Sequence, residues 1–598
     1  MSFEGRMSRG IGLASLFGGI VLALLASSGT SHSASTLQPK PPEGQKLEWV
    51  GASVCQRCHQ EKEPRELKEY QQTQAYDFVR LWENRVWENH DLHSLAYKHL
   101  TTNATKEATG GEVNKTAQRM EDNLKAQRGK EYTVALDVNC LVCHASSQSP
   151  LDRETFAASK PDFYKTEDGV GCEMCHGHGS RYRDEHQKSN PIKGKAAAGE
   201  ASREVPWRNW APNVKADWGL VNLRDPIVAA TKCASCHVGN KDEGRFVTHE
   251  MFAVGHPPLP PLDLMAYARE QPRHWGLASD MPYITSFAKK DPKKAFDTFH
   301  YREGESLVTR RFVESTIGAL AASNVLTGQL AGVAKEKNDG LDYAAFDCYS
   351  CHHNLKYPSD RQARGYDGPP GRPQFRLAPF ALARLVIDHA AAMEKGADLK
   401  PLAAELDAIH KRLALSFGNK TYGDPDAITK ATEEVAAWCS KAKAKLQPVR
   451  YTKEETAKLL AKVVEAASRE PSAEPRSMPA SQRAVADPEL AQLYVWAAET
   501  LILDLAGTPE EPKGGPPAKP PAVVAELREA LKGSVVTRLR GPEALFHYEQ
   551  KATGGLPSPT LVSVDKRLTD RMETFNSYRG DAFREAFKKL APRIGELK

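Results

Sequence analysis

The 598-residue sequence predicts a mainly α chain in two parts, a loop-rich first part over 45–360 and an α-helical domain over 370–598 broken by Pro-rich linkers. Three observations carry this. A Cys-x-x-Cys-His motif occurs five times, and every copy lies before residue 355. The second and third copies are thirty-two residues apart, leaving little chain for an independent domain between them. Beyond about Pro370, four Ala-rich amphipathic segments with Glu/Lys pairs follow one another, which is the pattern of packed helices. A chain of this length is expected to hold two or more domains.

The five copies are Cys55/Cys58/His59, Cys140/Cys143/His144, Cys172/Cys175/His176, Cys233/Cys236/His237 and Cys348/Cys351/His352, and they take ten of the eleven cysteines. This spacing attaches c-type haem: two thiols add to the two vinyl groups, and the next histidine becomes an axial ligand of the iron. A single copy could instead be a zinc half-site or a redox dithiol. Five copies with histidine directly after the second cysteine argue against that, because zinc ligand pairs do not require this order. The sequence thus predicts five covalently bound haem c groups, with His59, His144, His176, His237 and His352 as proximal ligands.

Composition sets the surroundings. Eighty-one Lys and Arg against 76 Asp and Glu give a formal charge of +5, which haem propionates would offset. No basic stripe points to nucleic acid. At the N-terminus, Arg6 and Arg9 precede an apolar run from Ile11 to Ala26 and a small polar stretch to Ser35, the layout of a secretory signal over 1–34. Sixteen residues are short for a membrane span; cleavage and retention as an N-terminal membrane tether both stay open. Export to the periplasm agrees with the motifs, because haem is joined to them outside the cytoplasm. No second apolar run approaches spanning length.

Pro39 to Lys46 reads as a flexible lead-in. From Glu66 to Leu100 the spacing is helical, and Leu92, Ala96 and Leu100 share a face beside His93 and Tyr97, so that His93 could reach an iron from a rigid support. Of His90, His93 and His99, one is expected to ligate. Thr101 to Arg128 is polar and reads as a surface excursion. Motifs two and three then follow closely, which places their haems near each other. Trp207, Trp210 and Trp218 could pack on porphyrin faces or belong to ordinary core packing. In Val247 to Leu259, His249 and His256 flank a short apolar segment. His256 is stiffened by Gly255, Pro257 and Pro258, and a preordered imidazole loses little entropy on binding iron. His249 and His256 are therefore candidate distal ligands, and Met251 reads as core. Asp280 to Lys335 is mainly helical and includes His300. His353 could ligate a neighbouring haem or bond a propionate. In the second part, Leu377–Lys395, Leu399–Ser416, Ala427–Leu446 and Lys453–Ser468 read as helices, with breaks at 469–488 and 507–521 and more helix from Ala522 to the end. Cys439 reads as a buried inert thiol, and His389, His410 and His547 as structural.

Three stretches, Gly171 to Ser180, Trp87 to Leu100 and Thr248 to Pro257, resemble the multihaem cytochromes related to the tetrahaem electron acceptor of hydroxylamine oxidoreductase. The resemblance covers roughly residues 50–355. It implies irons with mostly two histidine ligands, haems stacked in close pairs, one haem that can lack a distal ligand, and His93 and His256, less securely His249, as distal ligands. The family's Pro after Cys-His-Gly is His178 here, and Arg181 and Tyr182 stand where a histidine commonly follows, with His186 further on. That puts distal ligation at the third motif in question. The expected function is electron transfer with redox partner proteins. The alternative is a haem enzyme acting on a small nitrogen or sulfur compound at one five-coordinate iron. Against two such enzymes, no Cys-x-x-Cys-Lys occurs, and the motifs are fewer than hydroxylamine oxidoreductases carry. A third reading makes the second part a docking module, and can coexist with the first.

Overall fold

The computed structural model describes residues 41, 44–60, 81–101, 115–145, 166–188, 207–352, 372–376, 378–471, 484–507, 546–553, 556–564 and 580–597. The signal segment, His353 and the linker over 508–521 lie outside them. The fold is mainly α, as the patterning predicts.

Short helices carry the motifs. α1 (Ala52–Gln56) holds the first, and α2 (Glu83–His90) leads into two 3-10 turns, Leu92–Leu95 and Tyr97–Leu100. These turns replace the continuous helix expected to Leu100. Asp91 caps the first by accepting the backbone N–H of His93, a local bond that competes with α-helical pairing. α3 (Lys115–Arg128) corrects the expected surface excursion: Ala117, Met120 and Leu124 are buried against Val134 and Val254. Its polar composition conceals a stripe at helical spacing.

α4 (Val138–His144), α5 (Cys172–His176) and α6 (Gly179–Lys188) follow. Between the last two, Gly177 has φ 83°, and a Cβ there would meet the Gly219 carbonyl at 2.1 Å, so only glycine fits. The Glu173 carboxylate accepts the N–H groups of Val50, Gly51 and Gly179 at 2.7–3.0 Å. It stitches the first motif to the third. α7 (Pro212–Asp217) closes a cluster of Trp207, Trp210 and Trp218, whose rings pack on one another at 4.7 and 5.8 Å.

α8 (Pro226–His237) carries the fourth motif in its last turn. Asp225 caps it, accepting from Ile227 and Val228, with Pro226 in the first turn where its missing N–H costs nothing. α9 (His249–Val254), α10 (Leu264–Glu270), α11 (Pro282–Lys290) and α12 (Pro292–Phe299) lead to α13 (Leu307–Lys337). Against the expectation that no second apolar run approaches spanning length, α13 is long and apolar enough to cross a membrane by length and composition. Here it is a core helix, with Phe312, Val313, Ile317 and Leu320 fully buried.

The predicted helices of the second part form α14 (Ala378–Ala391), α15 (Lys400–Asn419), α16 (Pro425–Leu446) and α17 (Lys453–Ala467), followed by α18 (Pro488–Leu505). One apolar core joins them to α13 and to Leu341, Phe346 and Phe375. Cys439 lies inside this core, and burial pushes its thiol up. Of the helix expected from Ala522 to the end, the described residues include α19 (Gly580–Leu590). Ahead of it β1 (Phe546–Thr553) pairs antiparallel with β2 (Leu556–Val564); the latter's Pro557 and Pro559 oppose a helix in its interior.

Candidate haem centres

Four of the five motifs face one cavity of about 1050 Å³. Numbered by motif, sites 1 to 4 line it with both cysteines and the histidine, and the lining is mainly apolar. Cys348, Cys351 and His352 of site 5 lie outside that cavity.

Remote histidines stand opposite motif histidines. His237 faces His93 with ring centres 6.2 Å apart, His176 faces His274 at 6.2 Å, and His352 faces His249 at 6.3 Å. An imidazole nitrogen ligates a metal at about 2 Å and lies roughly 1.1 Å from its ring centre, so two imidazoles on one iron hold their centres about 6 Å apart. Among the described residues no group of three His, Cys, Asp or Glu side chains could hold a metal ion by itself. The residues fit haem.

At site 2, His144 has His256 and His99 as electrostatic neighbours. At site 1, His59 has His186, His176 and His274 as electrostatic neighbours; the last two already face each other, which leaves His186. The two sequence candidates His93 and His249 thus face motif histidines of sites 4 and 5, and His256 lies beside that of site 2. His300 instead bonds Glu314 at 2.6 Å.

Nδ1 is anchored in one histidine after another. It donates to Glu83 in His59 and to Asp91 in His93, both at 2.9 Å, to the Ala96 carbonyl in His144 at 3.0 Å, to Tyr182 in His186 at 2.9 Å and to Pro257 in His256 at 2.7 Å. An anchored Nδ1 fixes the tautomer and leaves Nε2 for a metal. Burial, and then the neighbouring histidines, push His176 and His256 down to about 4 and His237 to about 3. Those three free imidazoles are therefore neutral, the form that ligates, whereas Glu83 and Asp91 outweigh burial and raise His59 and His93. Burial alone would push Asp91 up, but His93 and the bonds it donates hold it at about 2, so it stays ionised.

The motifs also approach one another. The thiols of Cys55 and Cys172 are in hydrogen-bond contact, as are those of Cys143 and Cys236, while Cys175 feels Cys233. Sites 1 and 3 are neighbours, sites 2 and 4 are neighbours, and sites 3 and 4 join the pairs. α9 continues the series, with His249 at its start and His256 just past its end.

Residues 54–177 match the family model described as cytochrome c554 and c-prime. The curated protein "Cytochrome c-554" of Nitrosomonas europaea is 32% identical over 97 residues, 16% of this chain and 34% of that protein. The chain is similar to multihaem c-type cytochromes. Those matches support covalently bound haem c and electron transfer. The chain spans about a third of that relative's length, and no solved structure matches. Sites 4 and 5 lie beyond the matched segment, where the facing histidines are the observation that speaks for them.

Sequence reasoning missed His274, Glu83 and Asp91. His274 lies in Gln271-Pro-Arg-His-Trp275, where no spacing marks it. A cationic cluster was also missed. Lys215, Arg224 and Arg311 line the cavity, and burial followed by mutual repulsion lowers Lys215 to about 7 and Arg224 to about 10. Such a cluster suits haem propionates. Met251, read as core, also lines the cavity.

Proposed function

We propose that this chain is an exported electron-transfer protein that carries single electrons through haems held at its five motifs, mostly between two histidines each. The observation that carries this reading is the set of three imidazole pairs at 6.2–6.3 Å, each made of one motif histidine and one remote histidine. When bound, the haems supply one-electron chemistry at potentials set by their ligands and surroundings. The protein's own residues do the rest: burial keeps imidazoles such as His176, His237 and His256 neutral, Nδ1 atoms are fixed by bonds, and apolar walls exclude water. Two histidines on an iron leave no position for a substrate. Adjacency of sites 1 with 3, 3 with 4 and 4 with 2 makes one continuous route, and α9 extends it towards site 5. The chain works in the periplasm with redox partner proteins as donor and acceptor, and the N-terminus is its membrane tether if retained.

The test is the mass of the purified protein together with electron paramagnetic resonance of its oxidised form, repeated with nitric oxide after reduction. Five haem masses and low-spin iron that ignores nitric oxide are expected. A high-spin signal that nitric oxide converts would move the assignment to the enzyme alternative, a small nitrogen or sulfur compound binding at an open iron.

A further inference from the structure

The axial histidines differ in what accepts their Nδ1 proton. At sites 1 and 4 the acceptor is a carboxylate: Glu83 for His59 and Asp91 for His93, each at 2.9 Å. Asp91 is 3% exposed, and its second oxygen accepts from Gln271 at 3.0 Å. At site 2 the acceptors are backbone carbonyls, Ala96 for His144 and Pro257 for His256. A carboxylate draws the proton harder than a neutral carbonyl, raises the basicity of the ligating nitrogen, and adds a negative charge beside the iron. Both effects favour ferric over ferrous iron.

We propose that Glu83 and Asp91 are tuning residues that hold sites 1 and 4 at lower reduction potential than site 2, so that an electron shared among these three sites rests at site 2. This rests on the electron-transfer reading above. The neighbouring charges do not reproduce the difference. Arg245 lies beside cysteines of both sites 2 and 4. Asp137, beside Cys140 of site 2, is ion-paired with Arg128 at 2.7 Å. Lys232 and Arg311, beside Cys233, act on site 4 in the opposite sense, but from the cysteine side rather than through a bond to the axial histidine. The transfer balances as one electron leaving site 4, which is oxidised, and arriving at site 2, which is reduced; no bond or proton moves.

The experiment is a spectroelectrochemical titration of the full-length holoprotein, with low-spin signals followed by electron paramagnetic resonance. Asp91→Asn keeps the cap on the 3-10 turn and should shift one couple upward by at least tenfold in its ferric/ferrous equilibrium, which is about 59 mV for one electron. Glu83→Gln should do the same to a different couple, and Asp91→Glu should return the first towards its original position. Gln271→Leu removes a donor from Asp91 and should move the same couple downward; it serves if Asp91→Asn loses haem. Couples that stay in place in Glu83→Gln and in the interpretable site 4 variant, or that all move together, overturn the proposal. Haem masses on the unmodified protein keep the two readings apart. Haems present with unmoved potentials sink the tuning alone, whereas a chain without haem sinks the function it rests on.

Discussion

His274 stands opposite His176 without any motif of its own, and its substitution reads out one site. His274→Ala should turn one low-spin signal high-spin and leave the others unchanged in the resonance spectrum. His300→Ala should leave all of them low-spin, because that ring is held by Glu314. The motif histidines are legible because chemistry fixes their spacing to two cysteines. His256 is legible because Gly255 and two prolines stiffen it. His274 is not, since what selects it is a partner ninety-eight positions away and nothing local. A second residue-scale prediction concerns Glu314, which is 4% exposed and bonds both Arg310 and His300 at 2.6 Å. Burial pushes its carboxyl up, yet these two partners hold it at about 2, below its ordinary 4.5. A depressed carboxyl contributes stability that is complete above 4.5 and is lost as pH falls through about 2. Glu314→Gln should cost roughly 1.5–3 kcal/mol in denaturant unfolding at neutral pH, since charge-assisted bonds to Arg310 and His300 are lost while Arg310 keeps Glu305 at 2.6 Å. Unfolding midpoints of the two proteins should converge as the medium is acidified across that window.

Between elements, the contact of α8 with α13 matters most for the sites, because α8 ends in the fourth motif. It is set by Gly318, where a Cβ would lie 2.9 Å from both the Ala230 Cβ and the Ile227 carbonyl oxygen. Gly318→Val should push α8 away, costing about 1–3 kcal/mol, and broaden the resonance signal of site 4 before those of sites 1 and 3. The C-terminal helices were legible to within a few residues at most ends, because Ala-rich periodicity with Glu/Lys pairs survives in any context. Around Asp91 the local reading failed for a physical reason: a side-chain cap on the His93 N–H ends the α-helical pairing and leaves two 3-10 turns. α3 failed differently. Three buried apolar residues in fourteen are a sufficient stripe when the opposing face comes from Val134 and Val254, which no local window contains.

At the scale of the molecule, the helical part does not stand apart from the motif-bearing part, because α13 belongs to the core of both. Its buried side chains meet α8 on one side and α14, α16 and α18 on another. Ending the chain at residue 370 should therefore yield aggregated or non-cooperative material by calorimetry rather than a folded fragment with haems. A docking function for the helices is better tested with surface substitutions in the intact chain. The facing histidines have a temporal consequence as well. His93 emerges ahead of the fourth motif, while His176 must wait for His274, so a chain exported N-terminus first has the parts of site 4 before those of site 3, although the third motif comes out earlier. Site 5 is last. On the proposed pairings the order of assembly would differ from the order of the motifs, and until His274 arrives His176 would lack the imidazole that faces it in the folded protein.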